Sequence, residues 1–535
     1  MEALDWLVIG VFFLALIGII VWVVRQKQND SADYFLGGRD ATWLAIGASI
    51  FASNIGSEHL IGLAGAGASS GMAMAHWEIQ GWMILILGWV FVPFYTRSMV
   101  YTMPEFLERR YNPQSRTILS VISLVSYVLT KVAVTVYAGG LVFQQVFGIK
   151  ELWGIDFFWI AAIGLVVLTA LYTIFGGMKS VLYTSVLQTP ILLLGSLIIL
   201  VLGFKELGGW DEMMRVCGAV TVNDYGDTMT NLIRSNDDAN FPWLGALIGS
   251  AIIGFWYWCT DQFIVQRVLS GKNEMEARRG TIFGAYLKLL PVFLFLIPGM
   301  IAFALHQKYI GAGGEGFLPM LENGTANADA AFPTLVAKLL PAGVKGLVVC
   351  GILAALMSSL ASLFNSSAML FTIDFYKRFR PQTSEKKLVG IGQVATVVIV
   401  ILGILWIPIM RSVGDVLYTY LQDVQSVLAP GIAAAFLLGI CWKRTSAQGG
   451  MWGLISGMVI GLTRLGAKVY YSNAGEVADS TFKYLFYDMN WLFFCGWMFL
   501  FCIIVVIVVS LATEAPTAEK IQGLVFGTAT NLHYS

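Results

Sequence analysis

The sequence predicts an all-α polytopic membrane protein with about thirteen transmembrane helices and a five-plus-five inverted-repeat core. Two observations predict the membrane class: 57% of the 535 residues are hydrophobic and only 12% are charged, and apolar stretches of about 20 residues recur along the chain. A third observation predicts the repeat, because two of these stretches are interrupted by polar residues at corresponding positions.

The composition also excludes several classes of protein. Soluble domains have roughly 25% charged residues, about twice the share found here. Lys and Arg total 33, as do Asp and Glu, so no net charge attracts a nucleic acid. We therefore expect neither a soluble enzyme nor a nucleic-acid-binding protein, and the lipid bilayer is the first predicted partner.

Thirteen apolar stretches are long enough to cross a bilayer, and we call them spans 1 to 13 in chain order. Span 1 lacks a preceding basic segment and a small-residue cleavage site, so it is interpreted as a retained helix rather than a signal peptide. The predicted spans are Leu4–Val24, Trp43–Gly71, Trp77–Met99, Ile118–Phe147, Phe157–Phe175, Leu182–Phe204, Phe241–Arg267, Ile282–Leu305, Gly346–Phe371, Leu388–Met410, Val416–Trp442, Gly449–Val469 and Trp491–Leu511.

The orientation follows from the basic residues, because cytoplasmic loops carry an excess of Lys and Arg. The basic residues that follow spans 1, 3, 7, 9 and 11 are Arg25, Lys27, Arg39, Arg109, Arg110, Arg116, Lys272, Arg278, Arg279, Lys377, Arg378, Arg380, Lys386, Lys387, Lys443 and Arg444. All fall on one side. We predict a multi-pass protein of the cell (plasma or inner) membrane, with its N-terminus outside and its C-terminus in the cytoplasm.

Spans 2 and 7 contain polar residues at membrane depth. Span 2 has Asn54, Glu58 and His59, and span 7 contains Gly254, four aromatic residues after it, and Asp261. Such groups are costly in a bilayer and usually face a cavity. The two spans are five apart and therefore cross in opposite directions, which is typical of inverted repeats with discontinuous helices around a central site.

This interpretation divides the chain into six segments. They are a peripheral first helix and cytoplasmic loop (1–42), the first five-helix repeat (43–204), an external loop (205–240), the second, inverted repeat (241–442), two peripheral helices (443–512) and a cytoplasmic tail (513–535).

Five motifs resemble the sodium–solute symporter family, and within it a bacterial-type member of the sodium/glucose cotransporter branch. They are Asp33-Tyr-Phe-Leu-Gly-Gly-Arg, Ala52-Ser-Asn-Ile-Gly-Ser, Trp256-Tyr-Trp-Cys-Thr-Asp-Gln, Gln266-Arg267 and Met357-Ser-Ser-Leu. The likeness runs in the same order from about residue 30 to about residue 450. It implies that the protein is a symporter and not an enzyme. Such a symporter would import a hexose, such as glucose or galactose, by alternating access.

The resemblance also implies a sugar site. A pyranose has apolar faces and a rim of hydroxyls, so it needs an aromatic surface and groups that exchange hydrogen bonds. The residues similar to the family's sugar site are Asn54, His59, Glu78, Tyr257, Trp258, Lys288 and Gln422. Tyr257 resembles the inner gate. Gly254 departs from the pattern, since family members carry a Thr or Asn there that contacts the sugar, and this leaves the preferred epimer or substituent open.

Four of these residues also have an interpretation unrelated to a solute. Lys288 could extend from the cytoplasmic end of span 8 toward the surface, and Glu78 could pair with it structurally. Trp258 could lie at the membrane interface, and His59 could be a hydrogen-bonded core residue.

A sodium site is expected at the break in span 2. Sodium prefers oxygen ligands, and Ala355, Ser358 and Ser359 share one helix face through their i, i+3, i+4 spacing. Ala52 and Ile55 would add carbonyl oxygens at the break. These five residues match the family's common sodium site, with sodium as the coupling ion. The serines could alternatively be interhelical contacts.

A second sodium site is not expected. Two-sodium members of the family have an Asp where this chain has Ser185, and a Thr where it has Ala361. Only Ser362 remains of the expected hydroxyls, and Lys179 adds positive charge nearby. We therefore predict one sodium per sugar.

Several alternatives stay open at this point. The solute could be an inositol or a monocarboxylate, although Glu78 would repel a carboxylate, and the coupling ion could be a proton. A channel would need a continuous pore, and a sensor would need a signalling domain, for which the 24 residues after Leu511 are expected to be too few. Asp261 and Arg267 are predicted to serve gating or structure. Lys131 and Asp423 are predicted to be ion-paired with partners that the sequence does not identify.

Overall fold

The computed structural model describes residues 1–26, 30–56, 58–321, 324–413, 417–473 and 478–528. These residues are mostly helical, and nine helical segments among them are long and apolar enough to cross a membrane. Two shorter apolar helices, Trp43–Asn54 and Ala133–Phe147, accompany them. The all-α membrane class is confirmed, whereas the count of thirteen spans stays a prediction.

The helices have the following bounds. The α-helices are Ala3–Val24, Ser31–Leu36, Trp43–Asn54, Ala64–Ser70, Ala75–Ile79, Trp82–Ile86, Val92–Ser98, Met103–Arg110, Pro113–Ser126, Ala133–Phe147, Phe157–Leu207, Trp210–Gly218, Trp243–Gly254, Gln262–Leu269, Glu274–Leu287, Ile297–Gly311, Ala331–Leu339, Val344–Met369, Lys377–Phe379, Glu385–Val413, Leu417–Cys441, Ala447–Asn473, Thr481–Lys483, Trp491–Ala512 and Ala518–Ile521. Wider π-helical turns cover Glu58–Leu63, Leu87–Phe91, Tyr127–Val132, Phe255–Thr260, Val292–Leu296, Leu370–Tyr376 and Tyr484–Asp488.

Short elements complete the fold. The 3₁₀ turns are Gly37–Arg39, Gly71–Met74 and Ala328–Ala330. Strands Glu151–Leu152 and Ile155–Asp156 form a two-residue antiparallel pair between predicted spans 4 and 5.

Predicted spans 5 and 6 form one run of helix, Phe157–Leu207, that turns back at Gly177. A straight helix of 51 residues would be about 76 Å long, more than twice the thickness of the hydrocarbon core. The Ser180 hydroxyl donates to the Tyr172 carbonyl eight residues earlier, at 3.1 Å, a pair that a straight helix would hold about 12 Å apart. Gly177 has a φ of +53°, and a Cβ there would lie 2.4 Å from the Tyr34 carbonyl oxygen. Glycine is therefore required at this turn.

Both interrupted spans are discontinuous helices. In span 2, helix Trp43–Asn54 ends because Ile55 is extended, with φ −78° and ψ 101°. In span 7, the wide turn Phe255–Thr260 is followed by Asp261, which is extended with φ −76° and ψ 129°, and helix Gln262–Leu269 begins after it. The break in span 7 thus falls at Asp261, toward the end of the predicted stretch.

Glycines bring span 2 into direct backbone contact with helix Glu274–Leu287, which leads into span 8. A Cβ on Gly47 would lie 2.8 Å from the Gly280 carbonyl oxygen, and a Cβ on Gly280 would lie 2.8 Å from the Trp43 carbonyl oxygen. Small residues allow helices in membranes to pack this closely. This packing places Lys288, which follows helix Glu274–Leu287, beside Asn54 at the end of the first half of span 2.

Candidate functional site

One ammonium group joins the polar side chains around the two breaks. Lys288 Nζ lies 2.7 Å from Glu78 Oε2 and 2.7 Å from His59 Nε2, and it donates to Asn54 Oδ1. His59 Nε2 is also 3.1 Å from Glu78 Oε1. The Asn54 amide donates to the Tyr257 hydroxyl at 2.9 Å. We call these five residues the polar network, and it connects spans 2, 3, 7 and 8.

The burial of these residues excludes a surface position for Lys288 and Trp258, whereas a purely structural role for the Glu78–Lys288 pair and for His59 stays open. Lys288 is only 3% exposed and its ammonium points into the network, so it does not extend to the membrane surface. Trp258 is 2% exposed and therefore does not lie at the membrane interface. Buried charges require partners, and Glu78 has two in Lys288 and His59.

A small cavity lies against the network, with an empty volume of about 310 Å³ that includes the part open to solvent. Its lining residues are Asn54, Glu58, His59, Trp77, Gln80, Ile253, Tyr257, Trp258, Lys288 and Gln425. Five of the seven predicted solute residues line it, and Glu78 contacts it through Lys288 and His59. The side chain of the seventh, Gln422, lies outside the described residues. Aromatic faces beside charged and amide groups can bind a ring that carries hydroxyls.

Five residues that line the cavity are not among the seven predicted solute residues. Gln425 follows Gln422 by three positions in helix Leu417–Cys441, so helical periodicity could have identified it. Gln80 could not be found this way, because residues two apart do not share a helix face. The chain after Glu78 instead makes a tight turn, in which the Gly81 amide donates to the Glu78 carbonyl at 2.9 Å. The others are Glu58, Trp77 and Ile253.

The predicted sodium residues lie close together where span 2 breaks. The Ser359 hydroxyl donates to the Ser53 carbonyl at 2.6 Å, and the Ser358 hydroxyl lies 3.4 Å from the Ser53 hydroxyl. Ser53 stands between Ala52 and Ile55 in the chain, the two residues predicted to supply carbonyl oxygens. Ala355 is buried one turn before Ser359 in helix Val344–Met369. Coordination of an ion by these five residues stays a prediction.

Hydroxyl groups surround Ser185 and Ser362, where two-sodium members of the family would hold their second ion. Ser185 Oγ lies 3.2 Å from Ser358 Oγ, and the Ser362 hydroxyl donates to Ser53 Oγ at 2.8 Å. Arg267 Nε also donates to Ser53 Oγ, at 3.2 Å. Within the described ranges, the hydrogen-bond partners of these hydroxyls are other serines, backbone carbonyls and Arg267, with no carboxylate among them.

The break in span 7 holds a buried ion pair. Lys131 Nζ lies 2.9 Å from Asp261 Oδ2, and the Tyr127 hydroxyl donates to Oδ1 of the same carboxylate. This pair supplies the partner that the sequence did not identify for Lys131. The side chain of Asp423 lies outside the described residues.

Comparisons with known proteins identify a family and a set of relatives for this chain. Residues 34–457 match the model of the sodium:solute symporter family. The human sodium/myo-inositol cotransporter 2 is 36% identical over 99% of this chain and 79% of its own length. The sodium/glucose cotransporter 4 of Danio rerio is 36% identical over 97% of this chain and 80% of its own.

A solved structure has the same fold. The substrate-bound, outward-open structure of a Na⁺-coupled sialic acid symporter matches with a TM-score of 0.77 and covers 96% of this chain and 99% of its own. Its sequence is only 22% identical, so this match concerns the fold alone.

Proposed function

Since the chain belongs to the sodium:solute symporter family, and is therefore a sodium-coupled membrane symporter rather than an enzyme, we propose that it imports a neutral ring that carries several hydroxyls. A hexose, glucose or galactose, is the solute implied by the sequence motifs. The names of the mammalian relatives favour myo-inositol as the second candidate. Both are six-membered rings with hydroxyls around the rim.

The observation that carries this proposal is the polar network beside the rings of Tyr257 and Trp258. A polyol hydroxyl both donates and accepts hydrogen bonds, and Glu78, His59, Asn54 and Lys288 offer acceptors and donors within a few ångströms of one another. Glu78 and Lys288 carry opposite charges, so the pair adds no net charge to the site. A neutral solute fits it better than a carboxylate, which would have to compete with Glu78 for the Lys288 ammonium.

The position of the predicted sodium residues suggests how the ion is coupled to the solute. Ser53, whose carbonyl accepts from Ser359, is adjacent in the chain to Asn54, which contacts both Lys288 and Tyr257. An ion bound by Ala52, Ile55, Ala355, Ser358 and Ser359 would hold the end of the first half of span 2 in place. It would thereby hold Asn54 in position for the solute. We infer that sodium binding orders the solute site in this way, with one sodium per solute.

Uptake into proteoliposomes tests the proposal. Glucose, galactose and myo-inositol are supplied to the purified protein under an inward sodium gradient, and potassium replaces sodium in the matched control. We expect sodium-dependent accumulation of at least one of the three, abolished when an ionophore collapses the gradient. Uptake driven equally by a proton gradient without sodium, or no uptake of any polyol, would contradict the proposal.

A further inference from the structure

The side chain of Gln80 occupies the space beside Gly254. A Cβ built on Gly254 would lie 2.6 Å from Gln80 Oε1 and 3.2 Å from Met83 Cγ. No real Cβ approaches an oxygen this closely, so a side chain at position 254 and the amide of Gln80 in its present place exclude each other. Because residue 254 is a glycine, the Gln80 amide projects against the backbone of span 7.

The amide oxygen of Gln80 has no hydrogen-bond partner in the part of the chain that the structure describes. Gln80 is only 6% exposed, and it lines the same cavity as Asn54, His59 and Trp258. A buried polar atom without a partner is costly, because it has lost its hydrogen bonds to water. Such an atom at a cavity wall is therefore in position to accept a hydrogen bond from a ligand.

The structure assigns Gln80 as a further solute-binding residue, whose amide contacts a hydroxyl of the transported ring from the side of Gly254. This inference rests on the proposed function, because the ligand is the polyol that the protein imports. It also accounts for the glycine at position 254. On this side of the cavity the group that contacts the solute is the Gln80 amide of span 3. Gly254 of span 7 leaves the space that this amide occupies.

The test combines variants of Gln80 with analogues of the solute. The parent solute is whichever polyol the wild-type protein accumulates with sodium, and each analogue lacks one hydroxyl. We expect wild type to bind one deoxy analogue roughly tenfold more weakly than the parent, as befits loss of one hydrogen bond in a buried site. Gln80→Met, which keeps the length of the side chain and removes the amide, should bind the parent and that analogue equally. If Gln80→Met discriminates among all analogues as wild type does, the assignment is wrong.

Substitutions at both Gly254 and Gln80 provide a second test. Gly254→Ser should weaken solute binding, because its Cβ displaces the Gln80 amide. The double variant Gly254→Ser/Gln80→Ala should bind the solute more tightly than the sum of the two single-variant losses predicts. The reason is that the serine hydroxyl has room once the Gln80 amide is removed. Additive effects would show that the two side chains do not share this space and would overturn the inference.

Controls separate this inference from folding and from the proposed function. Each variant should keep the sodium-induced increase in thermal stability that we expect of wild type. Gln80→Asn, which retracts the amide by one methylene, replaces Gln80→Met if that variant does not fold. Gln393→Met removes a half-buried amide that donates to the Ile174 carbonyl at 3.1 Å, away from the cavity, and should leave selectivity unchanged. Failure of wild type to import any polyol overturns the proposed function. Normal uptake with no effect at Gln80 overturns this inference alone.

Discussion

Lys131 Nζ lies 2.9 Å from Oδ2 of Asp261, the residue at which span 7 breaks. The same ammonium lies 4.4 Å from the centre of the Tyr257 ring and 4.9 Å from that of Phe263. A cation over an aromatic face is attracted to it, more strongly when water is excluded. Span 4 is thus connected by one side chain to the break in span 7 and to Tyr257, which also contacts Asn54 of span 2.

Removal of this ammonium should destabilise the protein strongly. Lys131→Met leaves the Asp261 carboxylate buried without its counter-charge, which typically costs about 3–5 kcal/mol. The double variant Lys131→Met/Asp261→Asn should recover part of this loss, because the Asn removes the unpaired charge and its side-chain oxygen can still accept from the Phe263 amide. Thermal unfolding measures the coupling, with the exposed Lys386→Met as control. Purely additive effects would show that the two residues do not act as a pair.

Glu78→Ala should weaken solute binding while sodium binding largely survives. The carboxylate contacts Lys288 and His59 in the polar network. Loss of a buried hydrogen-bond partner costs about 1–3 kcal/mol, which is roughly 5- to 150-fold in affinity, and more when the group left behind is charged, as Lys288 is. Concentration-dependent uptake and sodium-induced thermal stabilisation measure the two effects separately. Glu274→Ala, which removes a half-buried carboxylate paired with Arg97, is the matched control. Unchanged solute affinity in Glu78→Ala would remove this residue from the site.

Ser359→Ala should raise the sodium concentration needed for half-maximal uptake. Its hydroxyl contacts the Ser53 carbonyl where span 2 breaks, and water cannot easily replace a lost oxygen ligand at membrane depth. Sodium titration of uptake at saturating solute measures the change. Ser456→Ala removes a hydroxyl that donates to the Gly453 carbonyl of its own helix and to Cys502 Sγ, and it should leave the titration unaltered. A Ser359→Ala curve that overlays wild type would contradict our placement of the ion.

One sodium should move with each solute molecule. An ion taken out of water needs charge or many oxygens to offset its desolvation, and the hydroxyls around Ser185 and Ser362 are accompanied by Arg267 rather than by a carboxylate. One charge that crosses 100 mV yields about 2.3 kcal/mol, and a tenfold sodium gradient adds about 1.4 kcal/mol.

Together these terms allow about 400-fold accumulation with one ion, against about 10⁵-fold with two. The charge moved per solute, measured in proteoliposomes clamped at known voltages, decides between the two values. A ratio near two would contradict the prediction.

The sequence alone determined the membrane class, the two discontinuous helices and the family. The first two of these properties depend on the local amino-acid composition. A bilayer requires long apolar stretches, and it tolerates polar residues such as Asn54 and His59 in them mainly beside a cavity. The motifs around Ser358 and Trp256 are contiguous in the chain, so resemblance to a family could be recognised without any tertiary contact.

The tertiary structure alone decided which distant residues meet. Lys131 is 130 positions from Asp261, and Glu78 and Lys288 are joined across two spans, so neither distance follows from helical periodicity. Gln80 was missed for the same reason, since its neighbour Gly254 lies in another span and carries no side chain to suggest a contact. Periodicity fixes which face of a helix a residue occupies, but only the packing of the helices fixes what that face touches.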